Sequence, residues 1–343
     1  MPEPRTYRLR VTEVIDETAD ARSFVLQPPA GAADRFAYRP GQFLTVRVPG
    51  PGGDGAEAVA RCYSLASSPD TGEPLRITVK RVVGGYGSHW LCDRVVAGGE
   101  LEVLPPAGAF TPDSLDSDLL LVAGGSGITP VLSIAKSALV RGRGRVTLLY
   151  ANRDEGAVIF RNELRELGED FPGRLVVIHW LESLQGLPTA DRLAAVVAPY
   201  AGRDTYVCGP EPLMDAVQAA LDGTRVRRER FFSLGADVFA APAAAEPVPA
   251  VDGEPVAEVE LDGETHVVGW PERTPLLDAL LAAGVDAPYS CREAACGACA
   301  CRVVSGEVKM ARNDVLDEQD LTDGYVLACQ ALPLTDRVGI SYS

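Results

Sequence analysis

Basic side chains are in short supply: 32 Lys and Arg stand against 48 Asp and Glu, a formal net charge of -16. So acidic a surface repels phosphate backbones, which argues against nucleic acid as a partner. Histidine is scarcer still, three in 343 residues. No grouping of His, Asp and Glu offers a substrate-activating site or a metal centre beyond any built on cysteine. Long apolar runs are missing too. The longest candidate, around Leu119 to Ala123, stops at glycines, far short of the roughly 20 residues that a membrane-spanning helix needs. Met1-Pro-Glu-Pro-Arg5 lacks the apolar core of a secretory signal, so a soluble cytoplasmic protein in a reducing compartment, with no membrane partner, is expected. There is no internal repeat, and 343 residues exceed one ordinary hydrophobic core, so the chain should divide into domains.

Cysteine is present in quantity, eight residues, and its placement is specific. Cys291-Arg-Glu-Ala-Ala-Cys296-Gly-Ala-Cys299, answered by Cys329 just before Gln330, has C-x4-C-x2-C spacing and a distant fourth member. That is the plant-type ligand pattern of a [2Fe-2S] cluster, not the two C-x2-C pairs of a zinc ribbon. Apart from Arg292 and Glu293, every non-cysteine position from 291 to 301 is Ala or Gly. Such a loop can fold closely over inorganic sulfur and aim N–H groups at it. A zinc site or a set of buried thiols is the competing reading, and spacing and loop composition together weigh against it. Cys301 opens the apolar run Cys301-Arg-Val-Val304 and reads as a buried strand cysteine rather than a fifth ligand. Four thiols committed to a cluster suit a reducing compartment better than a disulfide framework, and they mean that the chain handles single electrons.

The pattern changes along the chain. Up to about Thr111, short alternating runs (Tyr7 to Val11, Phe43 to Val48, Leu75 to Lys80, Leu101 to Leu104) are separated by Pro and Gly, which predicts a small β-barrel. Continuous apolar strands follow at Leu119 to Ala123, Val146 to Tyr150, Leu175 to His179 and Tyr206 to Cys208, with helical stretches such as Pro130 to Val140 and Pro210 to Leu221. That alternation predicts a doubly wound parallel α/β sheet. Ala240 to Ala250 is Ala- and Pro-rich, as in an extended tether. A hairpin from Glu258 to Val268 turning at Asp262-Gly263, a helix from Thr274 to Ala283, the cysteine loop and terminal strands then predict an α+β module. The expected boundaries are 1–111, 112–235, a linker at 236–255, and 256–343. Residues 256–343 hold 15 acidic and 6 basic side chains, which favours a docking partner with a basic patch, although acidity also serves solubility.

Four further motifs carry chemistry. Arg61-Cys-Tyr-Ser-Leu65 combines an Arg that can clamp a pyrophosphate, an aromatic that can lie on a flavin ring and a Ser that can hydrogen-bond its redox-active edge. Taken alone it reads as an ordinary strand. Gly84-Gly-Tyr-Gly-Ser88 lets backbone N–H groups approach a diphosphate, with Ser88 at a helix start, or is a plain turn. The neighbouring His89 and Trp90 read as packing or surface residues. Leu119 to Ala123 runs into Gly124-Gly-Ser-Gly-Ile-Thr-Pro130, a strand, glycine turn and helix start that can receive a dinucleotide pyrophosphate without being the G-x-G-x-x-G fingerprint. Cys208-Gly-Pro210 ends another parallel strand, where a small Cys either borders a nicotinamide or is simply buried.

In this order, Arg61 to Ser64, Gly84 to Ser88, Gly124 to Pro130, Cys208 to Pro210 and the cysteine loop resemble the ferredoxin–NADP reductase superfamily with a carboxy-terminal plant-type ferredoxin, over essentially the whole chain. The resemblance implies a Greek-key FAD barrel, a nicotinamide-binding α/β domain and a β-grasp ferredoxin domain. It implies FAD held by Arg61, Cys62, Tyr63 and Ser64, by Thr78, Val79 and Lys80, and by Gly85, Tyr86, Gly87 and Ser88. It also implies a nicotinamide dinucleotide over Gly125, Gly127, Thr129, Cys208, Gly209 and Pro210, with Ser64, Thr129 and Cys208 closest to the reaction. Cys291, Cys296, Cys299 and Cys329 hold the cluster. Simpler relatives end in an aromatic over the flavin, whereas this chain runs on past Phe231 and Phe232, so the shielding residue stays unassigned.

The expected activity is a relay in which NADH gives a hydride to FAD and electrons leave singly through the cluster to a separate terminal oxygenase. A Rieske-type steroid hydroxylase is the favoured partner and a diiron oxygenase the alternative, with the reductase itself a monomer. In Asn152-Arg-Asp154, Arg153 can bind a 2′-phosphate while Asp154 and Glu155 repel one. NADH is expected over NADPH. A reductase acting directly on a small molecule lacks a substrate-activating constellation here, and a binding protein with a structural cluster does not explain two upstream nucleotide motifs. Flavin fluorescence of the purified protein separates this last class from the relay.

Overall fold

The computed structural model describes residues 6–50, 58–231, 233–234, 238–239, 255–261 and 263–342. The expected linker at 236–255, Phe232 and the hairpin residue Asp262 therefore fall wholly or mostly outside the described residues. Two compact units divide the chain between Ser233 and Leu234, with Ala107–Ala109 grouped with the second.

The first unit begins with β1 (Tyr7–Thr18), β2 (Ala21–Gln27), β3 (Phe43–Val48), β4 (Val59–Ser64) and β5 (Leu75–Lys80), then α1 (Tyr86–Arg94) and β6 (Glu100–Ala107). The strand order is β4-β3-β6-β1-β2-β5, and a bridge between Leu65 and Ile77 joins its two ends. The jumps from β2 to β5 and from β3 to β6 make this a Greek-key barrel. Period-2 alternation drives it: Tyr7, Leu9 and Val11 point inward while Arg8 and Arg10 face solvent, and Phe24, Leu44, Val46, Ile77 and Val103 complete the core. Alternation does not reveal β2. Phe24 and Leu26 enter the barrel core, while Ser23 and Val25 on the strand's other face are buried as well. Ser23 is bonded there to Glu17 and, at 2.7 Å, to Thr78, so with both faces covered the polar–apolar alternation is lost.

An α/β layer follows: β7 (Leu119–Gly124), α2 (Ile128–Arg141), β8 (Val146–Asn152), α3 (Arg161–Asp170), β9 (Leu175–Leu181), α4 (Glu182–Gln185), α5 (Ala190–Val197), β10 (Asp204–Cys208), α6 (Glu211–Ala220) and β11 (Val226–Glu229). All five strands are parallel in the order β11-β10-β7-β8-β9. Leu119, Leu121 and Ala123 pack towards α2, and Leu120 and Val122 towards α5 and α6, so the sheet is covered on both faces. β9 is the exception to its buried reading. At the sheet edge Val176 and His179 are exposed.

Helix α2 ties this layer to the barrel. Ser133 Oγ donates to Ser67 O at 2.6 Å and Ser68 Oγ meets Ser137 Oγ at 2.7 Å. Lys136, its side chain 5% exposed, lies 2.5 Å from Glu73 and 3.0 Å from Glu163, and Arg76 forks onto Glu163 at 2.8 Å.

The second unit holds β12 (Val256–Leu261), β13 (Glu264–Gly269), α7 (Leu276–Ala282), β14 (Ala300–Ser305), β15 (Val308–Met310), α8 (Glu318–Thr322), β16 (Tyr325–Leu327), β17 (Ala331–Pro333) and β18 (Arg337–Ser341). Its mixed sheet, β13-β12-β18-β14-β16, pairs the first and last strands in parallel, the β-grasp arrangement, with α7 packed on buried Trp270 and Ile340. The helix starts at Leu276, not Thr274, because Pro275 is extended and the Thr274 carbonyl accepts the Trp270 indole N–H at 2.8 Å. Among the described residues no helix is long and apolar enough to cross a membrane.

Removing the Lys136 ammonium leaves the carboxylates of Glu73 and Glu163 to share the Arg76 guanidinium in a largely dry seam. Lys136→Met should therefore lower unfolding free energy by about 3 kcal/mol, measured by urea denaturation of the holoprotein, and Lys136→Arg should recover most of it.

Candidate functional site

Because β4 and β5 meet only at Leu65 and Ile77, backed by Ala66 N–H donating to Arg76 O at 2.8 Å, the barrel opens beyond that bridge. One rim of the opening is Arg61, Cys62, Tyr63 and Ser64, and the other is Thr78, Val79 and Lys80. Tyr63 is half-buried and Ser64 buried, which gives one flat apolar face and one hydroxyl. Burial pushes the Tyr63 phenol well above its ordinary pKa, so it stays neutral. Cys62 lies 3.6 Å from the Thr45 hydroxyl. Thr78 bonds Ser23 and Val79 is packed in the core, so these two can offer the opening only main chain.

At its outer end stands α1. It begins at Tyr86 with Gly85 at its N-cap and no side-chain cap, so its first N–H groups are free to meet an anion. Ser88 Oγ, expected to bind that anion itself, instead accepts from Val82 N at 3.1 Å and donates to Gly85 O at 3.3 Å, which fixes the turn before the helix. A Cβ on Gly87 would sit 3.1 Å from Arg61 Cγ. Only glycine lets the Arg61 stem lie so close to the helix start. Arginine plus bare helix N-terminus fits a diphosphate, and the opening beside Tyr63 fits a planar ring.

The parallel sheet reverses its order between β7 and β10, and ligands bind such sheets at the carboxyl ends beside that reversal. Here a Cβ on Gly127 would lie 2.1 Å from Cys208 O, and one on Gly124 would lie 2.7 Å from Pro210 Cδ. The turns after β7 and β10 therefore touch backbone to backbone through Gly124, Gly127 and Gly209. Helix α2 also lacks a side-chain cap. Gly125, with φ +53°, has only Lys80 Nζ near its Cβ position, at 3.7 Å, an open cradle with an ammonium beside it. The Tyr150 hydroxyl holds the turn by donating to Gly125 O at 3.0 Å. Thr129 does not reach outward: it is buried and donates to Ser126 O at 3.1 Å. Arg153 is exposed and ion-paired to Asp20 at 3.1 Å, while Asp154 accepts from Ala157 N at 3.1 Å.

Glu229, unremarked in the sequence, completes the meeting point. It ends β11 opposite Cys208 in register, and Ser64 Oγ donates to its carboxylate at 3.3 Å. Although the residue keeps some exposure, its carboxyl is the shielded end, and burial pushes it up to about 8. Burial and this neighbour raise the Cys208 thiol as well. The run Arg227-Arg-Glu-Arg230 reads as a charged surface strand, and only tertiary pairing turns Glu229 inward.

In the second unit the four cysteines are buried and form two pairs. Contact with the Cys296 thiol holds Cys291 down to about 6, and contact with Cys299 holds Cys329 down to about 7, while the same contacts raise Cys296 and Cys299. Glu293 N–H donates to Cys291 Sγ at 3.3 Å, and Ala298 N–H to Cys296 Sγ at 3.4 Å. To aim these groups, Arg292 and Ala294 adopt φ +58° and +65°, at roughly 1–2 kcal/mol each. Among the described residues no three metal-binding side chains converge on one point. Two thiol pairs suit two irons with two thiolates each. Cys301 lies apart, in β14 opposite Val326, with its buried thiol against the Tyr342 hydroxyl.

Residues 8–111 match the family described as an oxidoreductase FAD-binding domain, 121–219 an oxidoreductase NAD-binding domain and 259–334 a 2Fe-2S iron-sulfur cluster binding domain. The ferredoxin reductase component of 3-ketosteroid-9-alpha-monooxygenase from Rhodococcus rhodochrous is 55% identical over 98% of this chain and 97% of its own. The chain belongs to this reductase family. It is an oxidoreductase that uses FAD, a nicotinamide dinucleotide and a [2Fe-2S] cluster. More distant members include one component of the 1,2-phenylacetyl-CoA epoxidase of Escherichia coli, 32% identical over 98% of this chain and 97% of its own. Among solved structures, phthalate dioxygenase reductase aligns over 98% of both chains with TM-score 0.54 and 27% identity.

The raised Glu229 pKa carries a sign. Held neutral, the carboxyl contributes fully below the unfolded value of 4.5 and progressively less as pH rises through about 8. The melting temperature of the wild type relative to Glu229→Gln should therefore fall between about pH 5 and about pH 9. A pH-independent difference would show that this carboxyl is not the titrating group.

Proposed function

We propose that this chain is the NADH-dependent reductase component of a 3-ketosteroid 9α-hydroxylase, supplying single electrons to a Rieske-type terminal oxygenase. The observation that carries this is 55% identity along almost the full length to a reductase named for that system, across flavin, nucleotide and cluster domains alike. When bound, FAD would supply the conversion of a hydride's electron pair into single electrons, which the cluster can accept one at a time.

The chain's residues have distinct tasks in this reading. Arg61 and the bare start of α1 hold the flavin diphosphate, with Gly85, Tyr86, Gly87 and Ser88 shaping that turn. Tyr63 covers the ring and excludes water, with Cys62 and the Thr78 to Lys80 main chain along the rim. Ser64, with Glu229 behind it, presents a hydroxyl to the ring edge. Gly125, Gly127, Gly209 and Pro210 cradle the dinucleotide, Thr129 stiffens the turn, and Cys208 gives a small, neutral surface for the nicotinamide. Cys291, Cys296, Cys299 and Cys329 are the cluster ligands. The working boundaries are 1–111, 112–235, 236–255 and 256–343, and the protein acts as a monomer. The acidic excess of the last segment favours a basic docking patch on the oxygenase.

A second reading, reductase of a phenylacetyl-CoA epoxidase, rests on the 32% identical relative. Reconstitution decides between them. Mixed with a Rieske oxygenase and a 3-ketosteroid, the protein should support hydroxylation whose rate falls as salt rises. With a diiron oxygenase and phenylacetyl-CoA it should support little turnover, and the reverse outcome would overturn the assignment. NADH should be preferred over NADPH in kcat/KM by about ten-fold or more.

A further inference from the structure

The turn that closes the β1–β2 hairpin is the part of the flavin barrel that reaches the dinucleotide cradle. Asp20 sits in it, fixed locally: the Thr18 hydroxyl donates to Asp20 Oδ1 at 2.8 Å, and Arg81 N–H donates to Asp20 O at 2.7 Å. Its other oxygen faces two cations. Asp20 Oδ2 lies 3.1 Å from Arg153 Nη2 and 3.8 Å from Lys80 Nζ.

Both cations border the nucleotide surface. Lys80 Nζ stands over Gly125. Arg153 directly follows β8, the strand beside β7, where adenosine-ribose selectivity is set in sheets of this order. Its backbone is held there by Ser183 N–H donating to Arg153 O at 2.8 Å. Arg153 is therefore the group suited to a 2′-phosphate, and it is already occupied by a carboxylate from the other domain.

We infer that Asp20 is a specificity-determining residue that acts through Arg153: it neutralises a guanidinium that would otherwise welcome a 2′-phosphate. Discrimination against NADPH is then built partly on the barrel, outside the nucleotide-binding domain. The charge pattern supports it. Asp154 and Glu155 follow Arg153 directly, so removing Asp20 uncovers a cation that still has acidic neighbours, and the gain for NADPH is bounded. This inference rests on the dinucleotide reading above and deepens it.

The test measures kcat/KM with NADH and with NADPH, using ferricyanide as acceptor so that no partner protein is needed, on the FAD-loaded holoprotein. Asp20→Asn should raise the NADPH-to-NADH ratio about three- to five-fold, the size that a solvent-exposed ion pair supports. The gain should shrink with added salt, and Asp20→Glu should restore the original ratio. In an Arg153→Gln background the same Asp20→Asn change should leave the ratio where Arg153→Gln alone puts it. An unchanged ratio in Asp20→Asn overturns the inference. So does an equal rise in the Arg153→Gln background, which would mean a direct effect of charge on the phosphate, and so does an equal loss with both nucleotides, which would make Asp20 merely structural. A wild-type preference for NADPH is a different failure, that of the parent reading, and shows before any variant is made.

Discussion

Lys136 and Arg76 lie between the carboxylates of Glu73 and Glu163, and the work of the first unit depends on that cluster. A hydride moves only when donor and acceptor are held at roughly 3–3.5 Å, and a misplacement of about 1 Å costs on the order of a hundred-fold in rate. The flavin opening belongs to the barrel, while the nicotinamide cradle belongs to the parallel sheet. Their relative placement is fixed by the ion cluster and by the Ser67–Ser133 and Ser68–Ser137 bonds along α2. An isolated surface pair could not do this, but a network around a nearly inaccessible lysine can. Its consequence is visible some distance away, where Ser64 from the barrel bonds Glu229 from the sheet.

Each cofactor surface arises where a regular element is left incomplete. The barrel stops pairing after one bridge and opens a slot. Helix α1 begins without a side-chain cap, and α2 is entered through a glycine turn rather than a capping side chain. In the second unit, two residues that are not glycine sit at positive φ so that main-chain donors face sulfur. Such departures are unfavourable in isolation, and a bound anion or cluster offsets them.

Much of this is legible in the sequence. The cysteine spacing, the glycine turn after Leu119 to Ala123 and the change from period-2 runs to continuous apolar strands each reflect a local rule, and local rules survive in one dimension. The rest is hidden because tertiary pairing decides it. Strand β2 is hidden because both of its faces are covered, its buried Ser23 bonded to Glu17 and Thr78 from other strands. Glu229 looks like solvent-facing charge until β11 pairs with β10. Thr129 and Ser88 have the side chains of ligand-binding residues, yet their hydroxyls serve their own turns. Arg153 stands beside acidic neighbours in the sequence, although its partner lies 133 positions earlier in the chain.

The central claim is that the electron pair of one hydride enters at the barrel slot and leaves as single electrons through the two thiolate pairs. Anaerobic titration of the holoprotein with NADH, followed by visible absorption and electron paramagnetic resonance together, tests it most directly. The account predicts that flavin bleaching is accompanied by the paramagnetic signal of a reduced [2Fe-2S] centre with no other protein present. Flavin that bleaches completely while the cluster stays oxidised would contradict it.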